Sequence, residues 1–199
     1  MVTSLPNLLT ISRIVVIPLV IATFYMQGDS MRWVACWLFV VAAVTDFFDG
    51  YLARSWGQTS TLGRFLDPIA DKLLVAAVLL MMAAFHRITE FTVLPALVIL
   101  LREILVSGLR EFLAELRVGM PVSKLAKWKT AIQMTALPVL LVGEAGEKMF
   151  PWLPVRMIGE VGLWLAAALT LITGYDYLKA GLKHIRAHPA PAPGPGKTA

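Results

Sequence analysis

The sequence predicts an all-α integral membrane protein, a bundle of six transmembrane helices with N- and C-termini cytoplasmic. Three observations predict it. Of 199 residues, 58% are hydrophobic and 16% charged, whereas a soluble domain is about half apolar and a quarter charged. The excess lies in runs long enough to cross a bilayer core, which takes roughly 20 helical residues. The lysines and arginines divide unequally between the two ends of those runs.

The first span covers about residues 9–27. The stretch MVTSLPNLLTISR lacks a basic leader and a small-residue cleavage site soon after the apolar run, so the span reads as retained rather than as a signal peptide. Gly28-Asp29-Ser30 breaks the chain before a second span at about 33–53. A polar, glycine-containing linker from Gly57 to Gly63 precedes the third, about 68–86, and Arg87 to Glu90 separates it from the fourth, about 91–113. The fifth covers about 130–147. Glycine, glutamate and proline between Gly143 and Pro154 lead to the sixth, about 154–179. The basic segment from Glu115 to Lys129, with Trp128, reads as an amphipathic helix on the inner leaflet. Residues 1–186 form one domain, and 187–199, AHPAPAPGPGKTA, a disordered tail too poor in apolar side chains to build a core.

Orientation follows from charge. Arg54, Arg64, Arg110, Arg117, Lys124, Lys127, Lys129, Lys179, Lys183, Arg186 and Lys197 fall on one side; Arg32, Arg87, Lys148 and Arg156 fall on the other. The richer side is cytoplasmic by the positive-inside rule. Most of the six tryptophans stand near span ends, as interfacial anchors do. The net charge of +5 therefore reports membrane orientation and anionic head groups rather than nucleic acid. The single cysteine, Cys36, excludes an internal disulfide and a cysteine metal site. His86, His184 and His188 show no ligand spacing and read as interfacial or solvated.

The chemistry concentrates in two segments. The second span ends in VTDFFDGYLAR, where Asp46 and Asp49 share a helix face. The third opens with LDPIADK, with Asp67 as N-cap, Pro68 as first helical residue and Asp71 four residues after Asp67. The short linker makes the two spans an antiparallel pair, so four carboxylates converge. They need compensating charge. Lys72, Arg54 and Arg64 supply some, and one or two hard divalent cations on oxygen ligands supply more. Gly50 permits close approach to the helix backbone, or tight helix packing with Ala53. Arg54, one turn on, is a natural phosphate ligand.

The pattern Asp46-x-x-Asp49-Gly50-x-x-Ala53-Arg54, eight residues, Gly63-x-x-x-Asp67-x-x-x-Asp71 resembles the signature of the CDP-alcohol phosphatidyltransferases at every defined position and gap. The resemblance implies transfer of a phosphatidyl or related group from a CDP-linked lipid to an alcohol, with release of CMP. It implies that Asp46, Asp49, Asp67 and Asp71 hold Mg²⁺ or Mn²⁺, and that Asp71 is also the base on the acceptor hydroxyl. Gly50, Arg54, Ser60 and Gly63 would bind the CDP-lipid, and the polar cluster Asn7, Thr10 and Arg13 at the start of the first span adds to that pocket.

Three further segments, LPNLLTISR, REILVSGLRE and SKLAKWKTAIQM, are similar to the bacterial branch of the family whose acceptor is sn-glycerol 3-phosphate. With the signature, the resemblance covers most of residues 5–137. It implies CDP-diacylglycerol as donor, phosphatidylglycerol phosphate as product and a site on the cytoplasmic face of the bacterial inner membrane. It also allows a homodimer. A phosphate-bearing acceptor needs cations: Arg110 stands at the cytoplasmic end, and Lys124, Lys127 and Lys129 follow at the interface, where attraction to lipid head groups is the alternative. Arg102, about 12 Å deeper by helical rise, either lines the acceptor pocket, pairs with a motif aspartate or joins an ion pair within the bundle. Two alternatives stay open: the same family with inositol phosphate, serine or a lipid as acceptor, and a divalent-cation transporter using the aspartates as an ion path.

Overall fold

The structure, a computed structural model, describes residues 5–26, 28–56, 61–115, 118–119 and 123–187. For 5–10, 47–56, 61–65, 67–68, 71, 115 and 183–187 it describes the backbone alone. Among the described residues there are seven helices and no strand: α1 Leu5–Tyr25, α2 Asp29–Trp56, α3 Thr61–Ala84, α4 Glu90–Glu115, α5 Lys124–Val142, α6 Glu144–Met149 and α7 Val155–Ala187. Two segments are long and apolar enough to cross a membrane by length and composition, Glu90–Ala114 in α4 and Val155–Leu182 in α7. Ile11–Tyr25 and Lys72–Ala84 are shorter apolar helices.

Helix α1 packs against both α2 and α3, α5 against α2 and α7, and α4 against α3 and α7. Among the described residues the extensive packing of α2 and α3 is thus with α1, not with each other as the short linker suggested. One core joins these helices, built from Val20, Phe24, Phe39, Val78, Met82, Ile99, Leu140 and Leu163. Cys36 packs against it, half-buried. Many large side chains point outward instead, among them Leu19, Leu80, Leu101, Ile104, Leu165 and Leu171. Such a broad apolar surface is foreign to a soluble monomer and suits a membrane protein. Lipid tails are as apolar as leucine, so close packing rather than release of water holds such helices together. Accordingly small residues sit at the α5–α7 contact, where Gly159 lies against Leu140 and Gly162 against Ala136.

Several boundaries differ from expectation. Helix α3 begins at Thr61, so Asp67 is not its N-cap and Pro68 is not its first residue. The polar stretch Thr61–Arg64 continues the helix backwards, leaving Pro68 as an interior proline that forgoes one backbone hydrogen bond. Helix α5 starts earlier, at Lys124, capped by the Ser123 hydroxyl, which accepts the Ala126 amide at 3.2 Å. Such a cap contributes about 1 kcal/mol. The helix stops at Gly143, whose φ of +43° favours glycine. The expected interfacial helix is therefore corrected: Lys124 to Lys129 are the first turns of a bundle helix, and Lys129 is 2% exposed. Ala187 is the last residue of α7, and the rest of the expected tail lies outside the described residues.

At one end of the bundle, ion pairs clasp the helix starts. Lys148 meets Asp29 at 2.8 Å and Arg32 meets Glu144 at 2.8 Å. Glu160 accepts from Arg156 Nε at 3.2 Å and from the Thr89 amide at 3.2 Å. Arg87 stacks over Phe24, 4.1 Å from the ring centre. Most of these pairs are solvent-accessible and contribute little each. The chemistry-bearing carboxylates of α2 lie toward the other end.

Candidate active site

Five helices surround a cavity of about 430 Å³. Helix α1 contributes Arg13, α2 Asp46, α3 Lys72, α4 Glu103 and α5 Lys129 and Gln133. Ala42, Ala43, Leu74, Val75 and Met134 complete its walls. A site this size with a few converging polar groups in an apolar frame has the character of a ligand pocket.

Asp46 is its best-defined acid. Arg13 Nη2 meets Asp46 Oδ1 at 2.8 Å, with the arginine side chain 1% exposed and the aspartate 39%. The arginine is a fixed internal cation, while the carboxylate keeps a face toward open space. Asp49, Gly50 and Arg54 follow on α2, and Gly63, Asp67 and Asp71 lie along α3. Asn7 and Thr10 lie in the first turns of α1, ahead of Arg13. Their side chains are not among those described, and Ser60 lies outside the described residues.

A second acid, Glu103, is bound to the buried Lys129 ammonium. Arg102 Nη1 stands 3.8 Å from the same carboxylate. The pair is internal, and burial of this kind is tolerated only when each charge has a partner. Lys72 donates to Ser107 Oγ, which donates to Glu111 Oε1 at 3.3 Å. Lys72 and Glu103 also line a groove of about 330 Å³ between α3 and α4, walled by Ile69, Leu73, Leu100 and Ile104.

The expected acceptor ligands are dispersed. Arg102 is turned to α7: it donates to Thr173 Oγ1 at 3.1 Å and stands over the Tyr177 ring at 5.4 Å. It is not a cavity-lining residue and touches no motif aspartate among the described residues. Among the described side chains its carboxylate neighbour is Glu103, an ion pair within the bundle. Arg110, Lys124 and Lys127 are exposed.

Sequence reasoning missed Glu103 and Gln133 as cavity residues, and it placed Lys129 at the membrane interface rather than inside the bundle. The available signal was spacing. Lys129 and Gln133 are four apart and so share a helix face, which pairs them without saying which way that face turns.

The donor set suits a hard divalent cation by type, being carboxylate oxygen throughout. The described Asp46 fits such a role, since its carboxylate is part-exposed at the cavity wall. No group of three or more histidine, cysteine, aspartate or glutamate side chains assembles among the described residues.

A family model described as CDP-alcohol phosphatidyltransferase matches residues 3–172. The chain belongs to the CDP-alcohol phosphatidyltransferase family. The match extends well into α7, beyond the segments from which the resemblance was read. Among family relatives, a protein of Rickettsia bellii named CDP-diacylglycerol–glycerol-3-phosphate 3-phosphatidyltransferase is 50% identical over 181 residues, 91% of this chain and 97% of that one. A Pectobacterium atrosepticum protein of the same name is 41% identical over 182 residues, 89% and 94% of the two chains. Solved structures of Mycobacterium tuberculosis phosphatidylinositol phosphate synthase share the fold. The form in complex with manganese and citrate has a TM-score of 0.65 at 20% identity, covering 95% of this chain and 90% of that chain. The form with CDP-DAG bound has a TM-score of 0.61 at 22% identity, covering 90% and 87%.

Proposed function

We propose that this phosphatidyltransferase moves the phosphatidyl group of CDP-diacylglycerol to sn-glycerol 3-phosphate, giving phosphatidylglycerol phosphate and CMP. The observation that carries the reading is the Arg13–Asp46 pair at the wall of a cavity that also holds Lys72, Glu103 and Lys129. An acidic motif with cations around it suits a reaction between two phosphate-bearing substrates. The names carried by relatives up to 50% identical support the acceptor.

The proposed arrangement is a six-span protein of the bacterial inner membrane with both termini and the site on the cytoplasmic side. The α6 turn joins the last two spans, residues 1–186 form the catalytic domain and the final residues a tail. Pairing of two copies in the membrane is compatible with the broad apolar surface.

Asp46, Asp49, Asp67 and Asp71 would hold Mg²⁺ or Mn²⁺, which when bound neutralises the pyrophosphate oxygens and orients them for displacement. Arg54 and Arg13 add fixed positive charge, with Gly50, Gly63, Ser60, Asn7 and Thr10 around the cytidine diphosphate. Asp71 takes the proton of the acceptor 1-hydroxyl. That oxygen forms a bond to the lipid-linked phosphorus as the bond from phosphorus to the CMP oxygen breaks. Arg110, Lys124 and Lys127 draw the acceptor phosphate from the cytoplasm, and Arg102 acts behind Glu103. The groove between α3 and α4 shares Lys72 and Glu103 with the cavity, and offers a lipid-attached substrate a sideways path.

The test is CMP release by purified protein in detergent with CDP-diacylglycerol and Mg²⁺, with and without sn-glycerol 3-phosphate. Release that needs this acceptor and stops with chelator is expected. Release with inositol phosphate or serine instead would reassign the acceptor. Silence with every acceptor, together with metal flux into proteoliposomes, would overturn the reading in favour of transport.

A further inference from the structure

Gln133 is 3% exposed, yet its Oε1 is buried without a hydrogen-bond partner. It lines the cavity of the proposed active site. An unsatisfied amide oxygen in an apolar frame is costly; as placed it has no open surface of its own, and turning the amide end for end brings it to the open side of this cavity-lining residue, where a donor in the cavity satisfies it. Gln133 lies one helical turn, about 6 Å, beyond Lys129 on α5. Ala42 and Ala43 lie one turn before Asp46 on α2, and Leu74 and Val75 one turn after Asp71 on α3. Gln133 is therefore the polar group of an otherwise apolar floor. The neighbouring polar residue on α5, Thr130, already donates its hydroxyl to Ala126 O at 3.0 Å.

We infer that Gln133 binds a non-reacting hydroxyl of the acceptor alcohol and so sets acceptor specificity. The inference rests on the proposed transfer reaction and names a ligand group within it. A hydroxyl suits the site in either setting of the amide, because it accepts from the nitrogen and donates to the oxygen. With the oxygen turned to the cavity, a phosphate would be repelled and an alkyl group would leave the oxygen unpaired. In sn-glycerol 3-phosphate the group that fits is the 2-hydroxyl: the 1-hydroxyl is consumed and the phosphate belongs with the cations. A pocket built to pair a buried polar group rejects an analogue lacking the partner far more strongly than one that merely loses volume.

The experiment compares kcat/KM for sn-glycerol 3-phosphate and 3-hydroxypropyl phosphate, which lacks only the middle hydroxyl. CMP release is measured on wild type and on Gln133→Leu. The wild type is expected to prefer the glycerol compound by about 10–100-fold. In Gln133→Leu the preference should collapse to within about threefold, mostly through loss with the natural acceptor. The ratio of two acceptors in one preparation does not depend on how much protein is folded. Gln133→Met, which keeps the length of the side chain, provides the same comparison should the leucine variant fail to purify. A wild-type preference that survives in the variant, or a wild type with no preference, overturns the inference while leaving the transfer reaction standing. A wild type silent with both acceptors overturns the reaction and the inference together.

Discussion

Arg13 of α1 and Asp46 of α2 are joined at 2.8 Å, and the buried partner is the arginine. The cation is thus the fixed element, and the carboxylate is the one presented outward. A guanidinium in this position restrains the first motif aspartate and offsets negative charge that would otherwise accumulate near it. Arg13→Met is expected to lower CMP release about 10–100-fold, the range for a hydrogen bond to a charged group. Arg13→Lys, which keeps the charge but not the fork, should fall between. Equal activity in Arg13→Met and wild type would mean that Asp46 needs no such anchor.

The Lys129–Glu103 pair predicts a non-additive effect. Lys129→Met leaves a part-buried carboxylate with only Arg102 at 3.8 Å. Removing one member of a buried pair costs about 3–5 kcal/mol, whereas replacing both is often close to neutral. Lys129→Met should therefore lower the melting temperature in detergent by several degrees, and Lys129→Met with Glu103→Leu should recover most of that loss. If the double variant melts at the sum of the two single losses, the residues act independently.

How much of this was legible in the sequence follows from the residues themselves. The helical class and the position of Asp46 near the end of α2 follow from run length and from motif spacing, both local properties. Arg13 was singled out as a polar residue in an apolar start, and its pairing with Asp46 gives that choice a physical reason. The inward turn of Lys129 and Gln133 was not legible, because it depends on which face of α5 meets α2 and α7. Arg102 and Glu103 are adjacent, so their directions differ by about 100°, and only the packing of α4 decides that Arg102 goes to Thr173. Asp67 was misplaced as a cap because a proline is a strong start signal, while the polar turn before it continued the helix.

The α5–α7 contact depends on glycine. A Cβ on Gly162 would stand 2.9 Å from the Ala136 Cβ, an atom that no side-chain rotation can move. Gly162→Ala is expected to destabilise by about 1–3 kcal/mol through overpacking, read as a lower melting temperature in detergent. Gly108→Ala, with nothing within 4 Å of the added carbon, should be neutral or stabilising, since alanine favours a helix over glycine by about 1 kcal/mol. If the two variants melt alike, close backbone approach at Gly162 is unimportant.

The proposed base is tested by Asp71→Asn. The substitution is nearly isosteric, and Asp71 lies within α3, where asparagine is tolerated at a small propensity cost. The adjacent Lys72 remains tied through Ser107 to Glu111 on α4, so the local packing of α3 on α4 should survive. Loss of a positioned carboxylate base reduces a rate by about 10²–10⁴. CMP release should drop by that amount while the melting temperature stays close to that of wild type. The base role also predicts that the loss is in kcat and persists at Mg²⁺ and CDP-diacylglycerol concentrations that saturate the variant, since proton removal contributes to the transition state. Wild-type-like turnover in Asp71→Asn would sink the assignment. A loss confined to KM for the donor would leave Asp71 its part in holding the metal and remove its part in proton transfer.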